Sequence, residues 1–297
     1  MGLPQQIIFD RGRPAITRVG TVVSVGPLQV EVQGTVFDEV GVLNGYTPLV
    51  GDTVILLGQS AVTARGASWI ALGRPGTDST PAPLVIELTS GTELNEVPNA
   101  VKYWVECIGG GGGGGGCAGA AAGQSAAAGG GGGGGYSGKW YLASELSFPV
   151  SYVIGSGGAG GTPGNNNGST GTATTFEGQT ANPGTGGEGS AASSTNTSKD
   201  GGNGGTGTGG DINVTGNYGG GATTILGGSY GMLSLGGGAA VYGTWTQAGA
   251  ADQGNIGVDA DPYGNGGSGA FERAAGATNR RGGNGSDGRI IVTAYYS

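Results

Sequence analysis

Between residues 18 and 75, apolar and polar positions alternate in short blocks separated by turn residues. Arg18-Val-Gly-Thr-Val-Val-Ser-Val25 is β-branched and stops at the turn pair Gly26-Pro27. Leu28-Gln-Val-Glu-Val-Gln33 alternates strictly, setting Leu28, Val30 and Val32 on one face and Gln29, Glu31 and Gln33 on the other. That is the pattern of a half-buried strand. Val36–Val42 is a third, less regular candidate; Gly51-Asp52 is a turn before the apolar Thr53-Val-Ile-Leu-Leu57; Ser68-Trp-Ile-Ala-Leu72 is the last. Five short strands in so few residues predict a small closed barrel, which removes exposed strand edges. Residues 1–17 read as an N-terminal arm, 18–75 as the barrel, 76–84 as a proline-containing linker and 85–297 as a second domain.

The pattern changes near residue 108. Val101-Lys-Tyr-Trp-Val-Glu-Cys-Ile108 reads as a strand, with Val101, Tyr103, Val105 and Cys107 on one face and Lys102, Trp104, Glu106 and Ile108 on the other. It runs directly into Gly109–Gly116, and a second run, Gly129–Gly135, follows. Lys139–Leu146, Val150–Ile154 and Arg289–Tyr296 are further strands, and shorter glycine clusters fill the sequence between them. Of 74 glycines, 13 lie in residues 1–100 and the other 61 (74 minus 13) in residues 101–297. They are not placed as in collagen.

A flexible linker would have this composition, but the runs sit between good strands and the insertions carry aromatic residues. Fixing each glycine loses at least ~1 kcal/mol of backbone entropy, and no side chain is there to offset it. The backbone donors and acceptors must do so. An extended threefold helix has no internal hydrogen bonds, so several such rods side by side can pair laterally, and glycine permits the close approach. Eight residues make a rod of about 25 Å at ~3.1 Å each. The expected fold is therefore mainly β: a small N-terminal OB-like barrel followed by a β-scaffolded bundle of polyglycine type II helices.

Charge and chemistry narrow the function. Histidine is absent, which removes His-based triads and metal sites and argues against an enzyme. The net charge of −8, with no basic stripe around Arg18, Arg65, Arg74, Tyr46 and Trp69, disfavours nucleic acid. No apolar run is long enough to insert in a membrane, and no secretion signal is visible at the start. Cys107 and Cys117 cannot form a disulfide framework, and the extended run between them would hold them apart; Cys107 is expected as a buried packing residue. Asp259-Ala-Asp261 is the closest acidic pair, too small a ligand set for calcium, and Arg281-Gly-Gly283 occurs once. No cofactor and no metal are expected.

Leu49-Val-Gly-Asp-Thr-Val-Ile-Leu-Leu57 and Trp69-Ile-Ala-Leu-Gly-Arg74 resemble the OB-type barrels of phage baseplate and tail-tip proteins. Tyr103-Trp-Val-Glu-Cys-Ile-Gly-Gly110, Tyr152-Val-Ile-Gly-Ser-Gly-Gly-Ala-Gly-Gly161 and Asp287-Gly-Arg-Ile-Ile-Val292 resemble the glycine-rich tip domains of phage tail and tail-fibre adhesins. The resemblance implies a virion protein at a tail tip. Its partners would be other tail or baseplate proteins and a bacterial surface receptor, glycan or protein. It also implies a homo-oligomer, with a trimer first. A structural minor tail protein without receptor contact, or a glycine-helix ice-binding protein, are the alternatives. Specificity would come from the insertions, whose Tyr218, Tyr230, Tyr242, Trp245 and Tyr263 are the expected receptor-binding residues. Trp245 comes first because Thr244 and Thr246 flank it, with Asp252, Asp259 and Asp261 available to sugar hydroxyls.

Overall fold

The computed structural model describes residues 15–38, 40–42, 47–59, 69–71, 82–225, 231–233, 236–247, 254–273 and 277–296. The chain divides into two compact units, residues 1–80 and 81–297. The linker expected at 76–84 and the aromatic Tyr46 lie largely or wholly outside the described residues.

The first unit contains β1 (Ala15–Val25), β2 (Leu28–Val32), β3 (Thr35–Phe37), β4 (Gly41–Val42), β5 (Thr53–Gln59) and β6 (Trp69–Ala71). They form one six-stranded sheet in the order β3-β2-β1-β5-β6-β4. All neighbours are antiparallel except β4 and β6. The alternation read from Leu28, Val30 and Val32 holds: these side chains are buried together with Val22, Val40, Val54, Leu56 and Ala71. Gly20 lies under this core, where a Cβ would come within 2.6 Å of Val30. The closed barrel is not found. The outer strands of the order are β3 and β4, and no ladder joins them among the described residues.

In the second unit the strands are β7 (Leu84–Leu88), β8 (Glu93–Leu94), β9 (Ala100–Ile108), β10 (Ser125–Ala127), β11 (Tyr136–Leu142), β12 (Val150–Val153), β13 (Thr174–Phe176) and β14 (Gln179–Ala181). There follow β15 (Thr197–Lys199), β16 (Gly207–Thr208), β17 (Ile212–Val214), β18 (Ala222–Ile225), β19 (Gly231–Leu233), β20 (Gly254–Asn255), β21 (Phe271–Arg273) and β22 (Arg289–Tyr296). Two five-stranded sheets, β17-β11-β9-β22-β7 and β16-β14-β13-β12-β8, share one core. Tyr103, Val105, Cys107, Ile290 and Val292 come from the first sheet, and Val150, Tyr152, Phe176 and Ala181 from the second. Cys107 is buried as expected, whereas Val101, at the open end of the same face, is exposed.

The glycine run emerges from the end of β9 and becomes the axis of a bundle. Gly109, Gly112 and Gly115 donate to the carbonyls of Gly135, Gly132 and Gly129; Gly110, Gly113 and Gly116 to Thr172, Ser169 and Asn166; Gly111, Gly114 and Cys117 to Ser286, Gly283 and Arg280. The bonds are 2.8–3.2 Å long. Each third residue thus addresses the same neighbour, as a threefold helix requires. The carbonyls follow the same rule toward three other segments: Gly184, Gly187 and Ser190 donate to Gly110, Gly113 and Gly116; Gly158 and Gly161 to Gly111 and Gly114; Gly267 and Ala270 to Gly112 and Gly115. The axis is enclosed by six segments, three accepting and three donating. The second run, Gly129–Gly135, is enclosed similarly by 182–188, 217–220, 264–267, 202–205, Gly238 and the axis itself.

Glycine is needed here for what it lacks. None of Gly109–Gly116 has a positive φ. A Cβ on Gly112 would meet the carbonyl of Thr185, and one on Gly113 that of Ala159, well inside the 3.0 Å that real Cβ atoms do not cross. The outer segments need fewer glycines. In Ser156-Gly-Gly-Ala159-Gly-Gly-Thr162 and Asp200-Gly-Gly-Asn203-Gly-Gly-Thr206, every third residue is exposed and carries the side chain, while the glycines face inward. Side chains of the adjacent segment also serve amides of 156–162: Asn284 Oδ1 accepts from Gly160 N at 2.8 Å, and Asp287 Oδ1 from Gly157 N at 2.7 Å. Away from the sandwich, the bundle ends in two three-stranded sheets, β10-β21-β20 and β15-β18-β19.

Candidate functional site

Much of the bundle's surface is glycine, alanine, serine, threonine and asparagine, so exposed rings on it stand out. Segment 216–220 runs antiparallel to 236–240, through Asn217 N to Ala239 O and Gly220 N to Gly236 O. On its other outer side, Thr246 O accepts from Gly237 N at 2.9 Å. These two neighbours of 236–240 carry Tyr218 and Trp245, which are 68% and 62% exposed. The Trp245 ring edge lies against Gly236, where a Cβ would come 3.8 Å from Cε3. Thr246 is buried and fixes the backbone beside the ring.

Tyr242 and Tyr263 belong to the sandwich end of the bundle and are more constrained. Tyr242 has 63% of its surface exposed, yet its hydroxyl donates to Glu106 Oε1 at 3.0 Å. Tyr136 donates to the same oxygen at 2.8 Å, and the two rings meet edge-on at 6.2 Å. Burial and the hydrogen bond to the Glu106 carboxylate push the Tyr136 phenol well above its ordinary range. Tyr242 shifts the same way, chiefly through its bond to Glu106. Tyr242 also has φ +64°, a conformation a bulky residue adopts only when its surroundings impose it. Buried Asn265 provides part of that constraint by accepting from Ala240 N at 3.0 Å. Tyr263 is half-buried with the Arg289 guanidinium 5.0 Å from its ring centroid, which occupies one face.

Tyr230 and Asp252 lie outside the described residues. Asp259 is engaged: both its oxygens accept from Arg281, at 2.8 and 3.3 Å, and Asn284 N donates to it at 2.8 Å. The Arg281 hydrogen bonds hold the Asp259 carboxyl below its ordinary value of 3.8. Asp261 is exposed, and its carbonyl accepts from Asn265 Nδ2. The structure therefore brings Tyr218 and Trp245 to one flank, and at the sandwich end it ties the exposed Tyr242 to Glu106 and half-buries Tyr263. Among the described residues no three His, Cys, Asp or Glu side chains gather as a metal site. Sequence reasoning passed over a second aromatic group, Trp104, Trp140 and Tyr295 on the open face of the first sheet. Its signal was the even-numbered alternation in β9, whose outer face was read only as the complement of the core.

A β-sandwich extended by a hydrogen-bonded polyglycine bundle defines the second unit. The chain belongs to the glycine-rich domain family, whose description matches residues 88–295. Comparison with curated proteins gives no match.

Proposed function

We propose that this chain is a bacteriophage tail-tip protein whose glycine-rich unit binds the host surface. The observation that carries the reading is the pair of exposed rings, Tyr218 and Trp245, on two neighbours of one glycine segment. Rings with a polar tip offer a large apolar face at low entropic cost, and a rigid rod keeps them pre-organised. The first unit would dock the chain to other tail proteins, the protein would reside in the virion, and copies would assemble as a homo-oligomer, a trimer first.

Adsorption tests this. The purified chain should compete with phage for host cells, and Trp245→Ala and Tyr218→Ala should each weaken that competition with an unchanged melting temperature. Wild-type protein that never competes would instead favour a structural tail component without receptor contact. Variants that compete as well as wild type would exclude this flank as the contact.

A further inference from the structure

On the face of the sheet β17-β11-β9-β22-β7 that points away from the core, the end that holds Lys102 and Trp104 is rich in aromatic and apolar side chains. Trp140 stands opposite Trp104, and Trp104 opposite Thr293; in the next row Leu142, Lys102 and Tyr295 stand side by side. Ring centroids are 5.2 Å apart for both Trp104–Trp140 and Trp140–Tyr295, with tilts of 47° and 49°. The Trp104 ring lies over Gly138, where a Cβ would come within 2.7 Å of it. Trp140 remains 45% exposed, and Val85, Leu142 and Ile212 on the same face are exposed as well.

Among the described residues one charge on this face has no ion-pair partner. Lys102 Nζ sits 5.0 Å over the Trp140 ring and 5.3 Å over the Tyr295 ring. The carboxylates that share its face are engaged elsewhere: Glu87 with Arg289 at 2.8 Å, and Glu106 with the Tyr136 and Tyr242 hydroxyls. At the edge, Asp211 accepts from the Trp140 backbone at 2.9 Å. Among the described residues no carboxylate lies within 4.0 Å of Lys102 Nζ. Two things are thus offered together: rigid ring faces suited to C–H surfaces, and an ammonium held beside them by cation–π attraction.

We propose that this platform binds an acidic polysaccharide, a chain of sugars that bear carboxylates. The C–H face of each sugar ring would stack on Trp140 and its neighbours, and the sugar carboxylate would pair with Lys102. A neutral glycan supplies the first contact without the second, and a small anion the second without the first. The site shares no residue with the Tyr218–Trp245 flank, so it stands or fails separately from that reading.

The test is a tryptophan-fluorescence titration of the full chain with hexagalacturonic acid and with cellohexaose. The acidic hexamer should quench saturably and bind more weakly at 0.15 M salt than at low salt, as an exposed ion pair is screened over about 8 Å there. Lys102→Met keeps the alkyl stem and should weaken acidic binding about tenfold, the scale of one lost charge-assisted bond. Trp140→Ala should weaken it similarly. Equal affinity for both hexamers, no saturation with either, or an unaffected Lys102→Met variant would overturn the proposal. So would self-association of the wild-type chain, seen by sedimentation velocity, that Trp140→Ala abolishes, because the face would then belong to a second copy.

Discussion

Gly112 lies at the middle of the bundle axis, where a single methyl group should be enough to disrupt it. In Gly112→Ala the new Cβ would fall on the carbonyl of Thr185. Segment 182–190 must then move outward, and it is tied to the axis by Gly184 N to Gly110 O and Gly187 N to Gly113 O, both 2.9 Å. Stretching both bonds leaves buried donors and acceptors unpaired, at ~1–3 kcal/mol each, or about 2–6 kcal/mol together. The lower entropy of the unfolded alanine chain returns less than about 1 kcal/mol. A domain of this size loses about 2–4 °C per kcal/mol, so the net loss of about 1–5 kcal/mol should lower the melting temperature by roughly 2–20 °C. Gly221→Ala is the matched control, since its Cβ would meet only Lys199 O, at 3.3 Å, on the exposed rim. Calorimetry of the two variants compares the same chemical change inside and outside the bundle. Equal melting temperatures would refute the argument that close backbone approach, and not glycine's flexibility, explains these runs.

At the distal end, the fully buried Glu272 carboxylate is bonded at 2.6 Å by Arg280 Nε. Arg280→Ala should therefore destabilise the protein by about 3–5 kcal/mol in a denaturant titration, while charge reversal on the surface would not. The pairing of Asp259 with Arg281 lowers the folded carboxyl below 3.8, so its stabilisation is present above that value and is lost as the pH falls through the folded one. Wild type should lose its thermal advantage over Asp259→Asn in that acid window, and an advantage that persists there would contradict the assignment. Burial pushes both the Cys107 and Cys117 thiols up to about 12, and neither is in a disulfide. A thiol reagent at pH 8 should therefore find none in the native protein and both after denaturation.

The strands of the sandwich were legible because their apolar residues are concentrated and β-branched. β9 and β22 match the expected limits within a residue, and β12 nearly so. β7 was missed because Leu-Val-Ile-Glu-Leu follows a proline-rich stretch, and its role depends on the distant β22 that it pairs with. The long glycine runs declared the axis of the bundle, whereas the outer rods looked like irregular insertions. Their rule is local and period-three: an outward side chain every third residue, with glycine facing inward, as in Asp200-Gly-Gly-Asn203-Gly-Gly-Thr206. An exposed aromatic and one pinned by a remote partner look alike in sequence. Nothing near Tyr242 announces Glu106, and nothing near Tyr263 announces Arg289. Barrel closure is not seen among the described residues, and alternation gives strands and faces but not whether the last edge meets the first.

The central claim is that Gly109–Gly116 and Gly129–Gly135 are ordered by lateral amide bonds to different neighbours. Hydrogen–deuterium exchange resolved to these residues tests it most directly. The expected result is protection of these amides comparable to that in β9, because opening any one of them requires separating packed rods. Exchange at the rate of an unstructured glycine chain, beside a protected β9, would contradict it.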